Sequence, residues 1–401
     1  MTFSFLEILF WTCVFFILYA YIFYPILLFL LKPFSPKKQP PQLQPWPKVS
    51  IVIAAYNEEK TIARRVENCL ALDYPGDSLE IIIASDGSTD QTNSLVQKFS
   101  PSLTLPHTQD KVFSGCGGEK VVLYDYPQRR GKVNVLNDTV PKAHHDIIVF
   151  SDANTIFERD AVKNLVRHFK DERVGCVCGQ LNFVNAQGSR TGELEGVYWK
   201  FETWLKKEEG ARGSLLGANG GIFALRKELF VQCPPGTIVE DFVIAMKILQ
   251  RGYKVIYDPL ARATEESASN IIHEKKRRVR IGAGDFQALF MLLPMLSPLR
   301  GFSALAFWSH KVIRWFVPFF MVGAFVANLA LIGIPVYRLL FIGQILFYLC
   351  ALFGQILNWS GVHSKFFNLC YYFVSMNSAL LLGFFRFLFK TQKVTWERTQ
   401  R

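Results

Sequence analysis

The stretch VSIVIAAYNEE, residues 49–59, decides the fold. From Val49 to Ala55 it is apolar and rich in β-branched residues, broken only by Ser50 and without polar alternation. Such a run suits a strand covered on both faces, as in a parallel sheet. It then stops in polar residues, and the same pattern recurs in EIIIAS (80–85), VVLYDY (121–126) and DIIVFS (146–151). Helix-like segments at 58–72, 90–98 and 131–139 separate these runs, so the spacing predicts βαβ units in a doubly wound sheet. In such sheets ligands bind outside the carboxyl ends of the strands. Residues 99–120, with Pro, Gly, Ser and His107, read as an insertion or long loop.

The strand tips are therefore where chemistry is expected. After the first, Tyr56 offers a stacking face and Asn57 suits a tight turn. Glu58 and Glu59 fall in a first helical turn, where they are either dipole-stabilised caps or ligand contacts. After the second, Asp90 is a cap, whereas Asp86 is at the tip and able to accept bonds from a base or ribose. After the fourth, Asp152 and Asn154 are two residues apart, which points both side chains the same way on an extended segment. They are a turn, or a carboxylate and amide oxygen for a hard cation such as Mg2+ or Mn2+ completed by diphosphate oxygens. Further on, Gly217, Gly220 and Gly221 surround Asn219, implying close backbone approach. Glu240 and Asp241 open an amphipathic helix, either as a cap or as reactive groups.

The chain has 401 residues, 50% of them hydrophobic and 14% aromatic, which points to a protein partly in a membrane. Stretches 5–31, 312–334, 339–357 and 366–389 each approach the length of about 20 residues that crosses the hydrocarbon core. The first lacks a basic start and a small-x-small cleavage site and reads as a retained anchor. Lys32, Lys37, Lys38 and Lys48 follow it, so the positive-inside rule places the next domain in the cytoplasm. Three further crossings leave the tail outside, although it carries Lys390, Lys393, Arg398 and Arg401, so the number of spans stays open.

The expected order is an N-terminal anchor (1–34), a Pro-rich linker (35–48), the α/β domain (49–270), basic amphipathic interfacial helices (271–300), transmembrane helices (301–390) and a basic tail (391–401). The eight cysteines are scattered without thioredoxin or zinc spacing and read as reduced structural thiols. A net charge of +12 fits anionic lipid or a phosphate-bearing ligand; EKKRRVR (274–280) is explained by anionic headgroups, and no nucleic-acid partner is expected.

Taken in order, AAYNEE, SDGSTD, RRGKVNVLN, SDAN, GANGGIFALR and VEDFVIAMKI resemble the membrane-bound family 2 glycosyltransferases, relatives of the polysaccharide synthases, over residues 48–285. The resemblance implies an α/β GT-A fold, Rossmann-like with a mostly parallel sheet, as a cytoplasmic domain with transmembrane helices at both ends. It implies a hexosyl- or N-acetylhexosaminyltransferase that moves a sugar with inversion from a nucleotide-sugar donor, expected to be a UDP-sugar, at the cell inner (plasma) membrane. The acceptor would be a lipid-linked or glycan hydroxyl in envelope polysaccharide or glycolipid synthesis, with partner subunits of an assembly system.

By motif, Tyr56, Glu58 and Asp86 would hold base and ribose, and Lys132 would lie near the donor phosphates. Asp152 would meet the diphosphate and its metal with Asn154, and Asn219, Gly220 and Glu240 would border the acceptor. Asp241 would be the general base, kept ionised by its helix N-terminus. Two departures stand out. Asn154 replaces a second acid. Where polysaccharide synthases carry Gln-x-x-Arg-Trp this chain reads RRVRI, with Arg277 and Arg280 still able to neutralise diphosphate oxygens but Ile281 in place of a sugar-stacking Trp. Those departures also motivate an alternative, a non-catalytic nucleotide-sugar-binding subunit.

Overall fold

A computed structural model describes residues 4–34, 44–99, 111–113, 120–184, 193–266, 271–362 and 364–392. The chain divides into two units. One spans Ser35–Thr191 and Lys206–Asn270 together with the tail, and it holds one mixed, mostly parallel sheet. Its strands are β1 (Val49–Ala55), β2 (Leu79–Asp86), β3 (Lys111–Phe113), β4 (Val121–Tyr126), β5 (Ile147–Asp152), β6 (Thr155–Phe157), β7 (Val174–Val184), β8 (Phe223–Arg226) and β9 (Lys254–Glu266). Their order is β3-β4-β2-β1-β5-β8-β7-β9-β6.

The four apolar runs of the sequence are the four central parallel strands, with β1 between β2 and β5 and β4 beyond β2. Val49, Ile51 and Ile53 of β1, Ile81 and Ile83 of β2, Leu123 of β4 and Val149 of β5 join one buried cluster with helix Ile62–Leu70. β-branched side chains suit this pleated, doubly covered surface. The chain moves outward from β1 through β2 to β4, then returns to the other side of β1 as β5. That reversal is a topological switch point, the place where open α/β sheets bind ligands. In register, Ala54 of β1 lies beside Asp152 of β5, so Asp152 sits at the switch. The remaining strands include antiparallel pairs, β5 with β8, β7 with β8, and β6 with β9. Of the expected loop at 99–120, the structure describes Phe99, the short strand β3 and Lys120, and His107 lies outside the described residues.

The other unit comprises Met1–Phe34, Gly192–Leu205 and Ile271–Gln392. Among the described residues, four of its helices are long and apolar enough to cross a membrane: Phe5–Phe34, Phe302–Ala330, Pro335–Trp359 and Lys365–Leu388. The second begins at residue 302 rather than 312, because a π-helical stretch, Phe307–Val312, carries Ser309, His310 and Lys311 into the helix. Polar residues hid that start from a hydropathy reading. Helix Ile271–Met291 buries Val279, Ala283, Phe286 and Ala288. Gly282 lies against Ala379 and Leu380 of the last apolar helix, and a Cβ on Gly383 would fall 2.7 Å from the backbone of Ala283. The seven described cysteines are free thiols.

Candidate active site

The tips of β1 and β2 are bonded together. Asn57 adopts φ 55°, which its short polar side chain tolerates. Its Oδ1 accepts from the Thr89 N–H at 2.8 Å, and its own N–H donates to Ser88 Oγ at 3.1 Å. The Glu58 N–H donates to Thr92 Oγ1 at 2.7 Å, and the Glu59 N–H to Asp90 Oδ2 at 3.1 Å. The Glu58 carbonyl accepts from Ile62 at the start of helix Ile62–Leu70, and its carboxylate accepts from Thr61 Oγ1 at 2.8 Å. Tyr56 shows one ring face to Arg129, whose guanidinium carbon lies 3.9 Å from the centroid. The expected stacking surface thus already carries a cation.

Asp86, 5% exposed, uses both oxygens on the loop before the helix Lys132–Thr139. Oδ1 accepts from the Arg130 N–H at 2.6 Å and Oδ2 from the Gly131 N–H at 2.9 Å. Gly131 has φ +89°, a conformation that favours glycine. Further lone pairs on each oxygen can still meet a ribose, but the role seen here is to set the start of the helix that carries Lys132.

Lys132 is the centre of the site. Its Nζ lies 2.8 Å from Asp152 Oδ1 and 2.9 Å from Glu240 Oε1. Burial opposes its charge, but Asp152 and then Glu240 outweigh burial and raise its pKa. Glu240 and Asp241 form the first turn of helix Glu240–Gln250, which is anchored by buried Val243, Ile244, Ala245, Met246, Ile248 and Leu249. Asp241 Oδ1 accepts from the Phe242 N–H at 2.8 Å.

The helix start was expected to keep Asp241 readily ionised. Instead burial, with the negative charge of Glu240 next to it, pushes its pKa up to about 6 against the opposing pull of Lys132. A carboxylate in that range is suited to taking a proton near neutral pH. Asp152, Glu240 and Asp241 therefore surround one ammonium, which offsets part of their combined negative charge.

The glycine-rich loop is drawn close to these groups. Gly217 has φ +86°, and a Cβ there would fall 2.4 Å from the Phe242 ring. On Gly220 a Cβ would stand 3.1 Å from Asp241 Oδ2 and 3.6 Å from Lys132 Nζ. Gly220→Ala is therefore expected to lower kcat about tenfold by crowding the reacting carboxylate, with donor affinity unchanged in a direct binding assay; full activity would show that nothing approaches Asp241 from that side. Asn219 accepts from Lys206 Nζ at 2.6 Å and donates to the Gly179 carbonyl at 3.1 Å. No local sequence signal announced Lys206.

Asn154 lies in the turn between β5 and β6, where its Nδ2 donates to Glu265 Oε1 of β9 at 2.9 Å. That bond fixes the amide by its nitrogen and leaves Oδ1 as the atom able to coordinate, the way outer carboxylates orient metal ligands. Among the described residues no three His, Cys, Asp or Glu side chains gather as a metal cage. Asp152 and the Asn154 amide carry oxygen atoms of the kind a hard cation accepts. Arg277 and Arg280 stand on helix Ile271–Met291, outside the unit that holds this cluster.

Comparison with known proteins bears on the family and the fold. The profile of Glycosyl transferase family 2 matches residues 50–232, and that of Glycosyl transferase family group 2 matches residues 147–362. Poly-beta-1,6-N-acetyl-D-glucosamine synthase of Staphylococcus aureus (strain COL) is 29% identical over 246 residues, 60% of this chain and 55% of the relative. The synthase of the same name from Staphylococcus epidermidis is 26% identical over 247 residues, again 60% and 55%. The chain thus spans about half the length of the curated relatives it matches. Among solved structures, the mannosyltransferase PcManGT from Pyrobaculum calidifontis, in complex with GDP-Man and Mn2+, aligns with a TM-score of 0.67 at 20% identity, covering 96% of this chain and 100% of that one. This likeness establishes the GT-A fold.

Proposed function

Because the chain belongs to the family 2 glycosyl transferases, we propose that it moves a sugar, with inversion, from a nucleoside diphosphate donor to a hydroxyl of a glycan or lipid-linked acceptor. The work is done at the cytoplasmic face of the cell membrane, in the synthesis of an envelope polysaccharide or glycolipid. The observation that carries the reading is the cluster of Lys132, Asp152, Glu240 and Asp241 at the carboxyl ends of the strands. N-acetylglucosamine carried by UDP is the first donor to test, given the name of the staphylococcal relatives.

Inversion needs one in-line displacement. Asp241 takes the proton of the acceptor hydroxyl as that oxygen bonds to the anomeric carbon, and the bond from that carbon to the diphosphate oxygen breaks with its electron pair leaving on the diphosphate. Lys132, kept charged by its two carboxylates, offsets negative charge growing on the leaving group. Mg2+ or Mn2+ held by Asp152 and Asn154 would supply further neutralisation of the diphosphate. Glu240 keeps Lys132 in place and raises the basicity of Asp241. Tyr56, Glu58 and Asp86 lie toward the base and ribose, and Asn219 and Gly220 border the acceptor.

Full-length protein in lipid nanodiscs, incubated with Mn2+, a lipid extract and radiolabelled nucleotide sugars, is expected to release nucleoside diphosphate with one donor. Donor binding by calorimetry without release under any acceptor would replace the reading with that of a nucleotide-sugar-binding subunit.

A further inference from the structure

Helix Ile62–Leu70 buries Ile62, Arg65, Val66 and Cys69, one stripe at helical spacing. One member of that stripe is charged, and Arg65 is 0% exposed. Among the described residues no carboxylate stands within ion-pair distance of it. Nη1 donates to Asn68 Oδ1 at 2.5 Å and Nη2 to Ser151 Oγ at 2.9 Å, the guanidinium carbon lies 4.3 Å over the Phe157 ring, and Nε has no partner. Burying a guanidinium without a direct counter-ion carries a desolvation cost that an apolar side chain of similar length would not.

The partners of Arg65 share one address. Ser151 immediately precedes Asp152 on β5, and Phe157 closes β6. Asn68, which Arg65 holds, donates to the Phe157 carbonyl at 2.9 Å and accepts from the Phe157 N–H at 2.9 Å. Helix Ile62–Leu70 is thereby stapled to β5 and to β6, on both sides of the turn at residues 153–154 that joins them. Burial lowers the pKa of Arg65, and Cys69 and Asp152 act against that fall, so Asp152 feels this cation across Ser151.

Resting on the function proposed above, we infer that Arg65 is a positioning residue for the diphosphate end of the site, holding the Asp152–Asn154 turn and setting a fixed positive charge behind it. Lys132 approaches Asp152 from the other side at 2.8 Å. Lys132 ends a flexible stem and is able to turn to an arriving phosphate. Arg65, forked onto two elements, stays where it is.

The test uses full-length protein in nanodiscs, with Mn2+ and UDP binding followed by electron paramagnetic resonance and calorimetry, and thermal melting recorded alongside. Arg65→Met is expected to bind Mn2+–UDP about tenfold more weakly, with a melting temperature equal to or above that of the parent because a buried charge has gone. Arg65→Lys, which restores the charge without the fork, recovers part of the affinity. Unchanged affinity in Arg65→Met overturns the inference, as does affinity that falls only together with the melting temperature and without recovery in Arg65→Lys. Those results leave the glycosyl-transfer reading standing, whereas a parent protein that binds no Mn2+–UDP defeats that reading and this inference together.

Discussion

Replacing Asp241 with Asn is expected to lower kcat by about a thousandfold, within the range by which a positioned general base accelerates proton transfer. Asparagine keeps the shape and can still accept the Phe242 N–H at the start of helix Glu240–Gln250, so only the ability to take a proton is lost. Donor affinity, read by calorimetry, should change little, and the loss should fall on kcat rather than KM.

The parent enzyme should lose activity as the pH falls through about 6, since burial and the neighbouring charge of Glu240 hold the Asp241 pKa there. Glu240→Gln should move that limb to lower pH, because it removes the larger of the two carboxylate charges that raise Asp241. The sign for stability is opposite to that of a salt-bridged acid. A pKa raised by folding means the ionised form is disfavoured in the native state, so stability declines as the pH rises from the ordinary aspartate range through about 6. Asp241→Asn should therefore melt no lower than the parent at neutral pH, which separates lost chemistry from lost folding. A variant that retains parental kcat would move the base elsewhere.

Much of this arrangement was legible in residue order. The four central strands are continuous apolar runs whose polar tips pointed to Asp86 and Asp152 before any contact was known, while Asp241 stood at the start of an amphipathic helix. The half of the sheet beyond β5, which mixes antiparallel and parallel pairs, was harder to read. β9 contains Asp258 and Pro259 within its span, and its pairing with β7 is interrupted by irregularities of register, so no clean periodicity marks it. Long-range electrostatics were also hidden. A helix start predicts easy ionisation, but for Asp241 burial and Glu240 win. Asp86 also sets the start of the next helix, a duty that appeared only when folding brought the amides of Arg130 and Gly131 onto it. Arg65 did leave a trace, since it is the charged member of an otherwise apolar stripe in helix Ile62–Leu70.

The second large effect concerns the tip of β5. Asp152→Ala is expected to weaken binding of Mn2+–UDP by at least about a hundredfold, exceeding the usual loss from an outer-shell change because a ligand itself is removed. It also frees Lys132 from one of its two carboxylates, so the ammonium is left to Glu240 and to the base.

Asn154 poses the subtler case. On charge alone, Asn154→Asp supplies the second acid and should strengthen metal binding. Yet the amide nitrogen it replaces donates to Glu265 Oε1 at 2.9 Å, and a carboxylate in its place would meet another carboxylate with no proton between them. The repulsion opposes the gain, so the single variant should show metal affinity near the parental value. Glu265→Gln removes the repulsion and restores a donor to the new carboxylate, so Asn154→Asp with Glu265→Gln should bind Mn2+–UDP about tenfold tighter than either single variant, a non-additive result typical of residues in contact. Additive effects in that double-mutant cycle would mean that Glu265 does not orient residue 154, and parental metal binding in Asp152→Ala would place the cation away from the β5 tip.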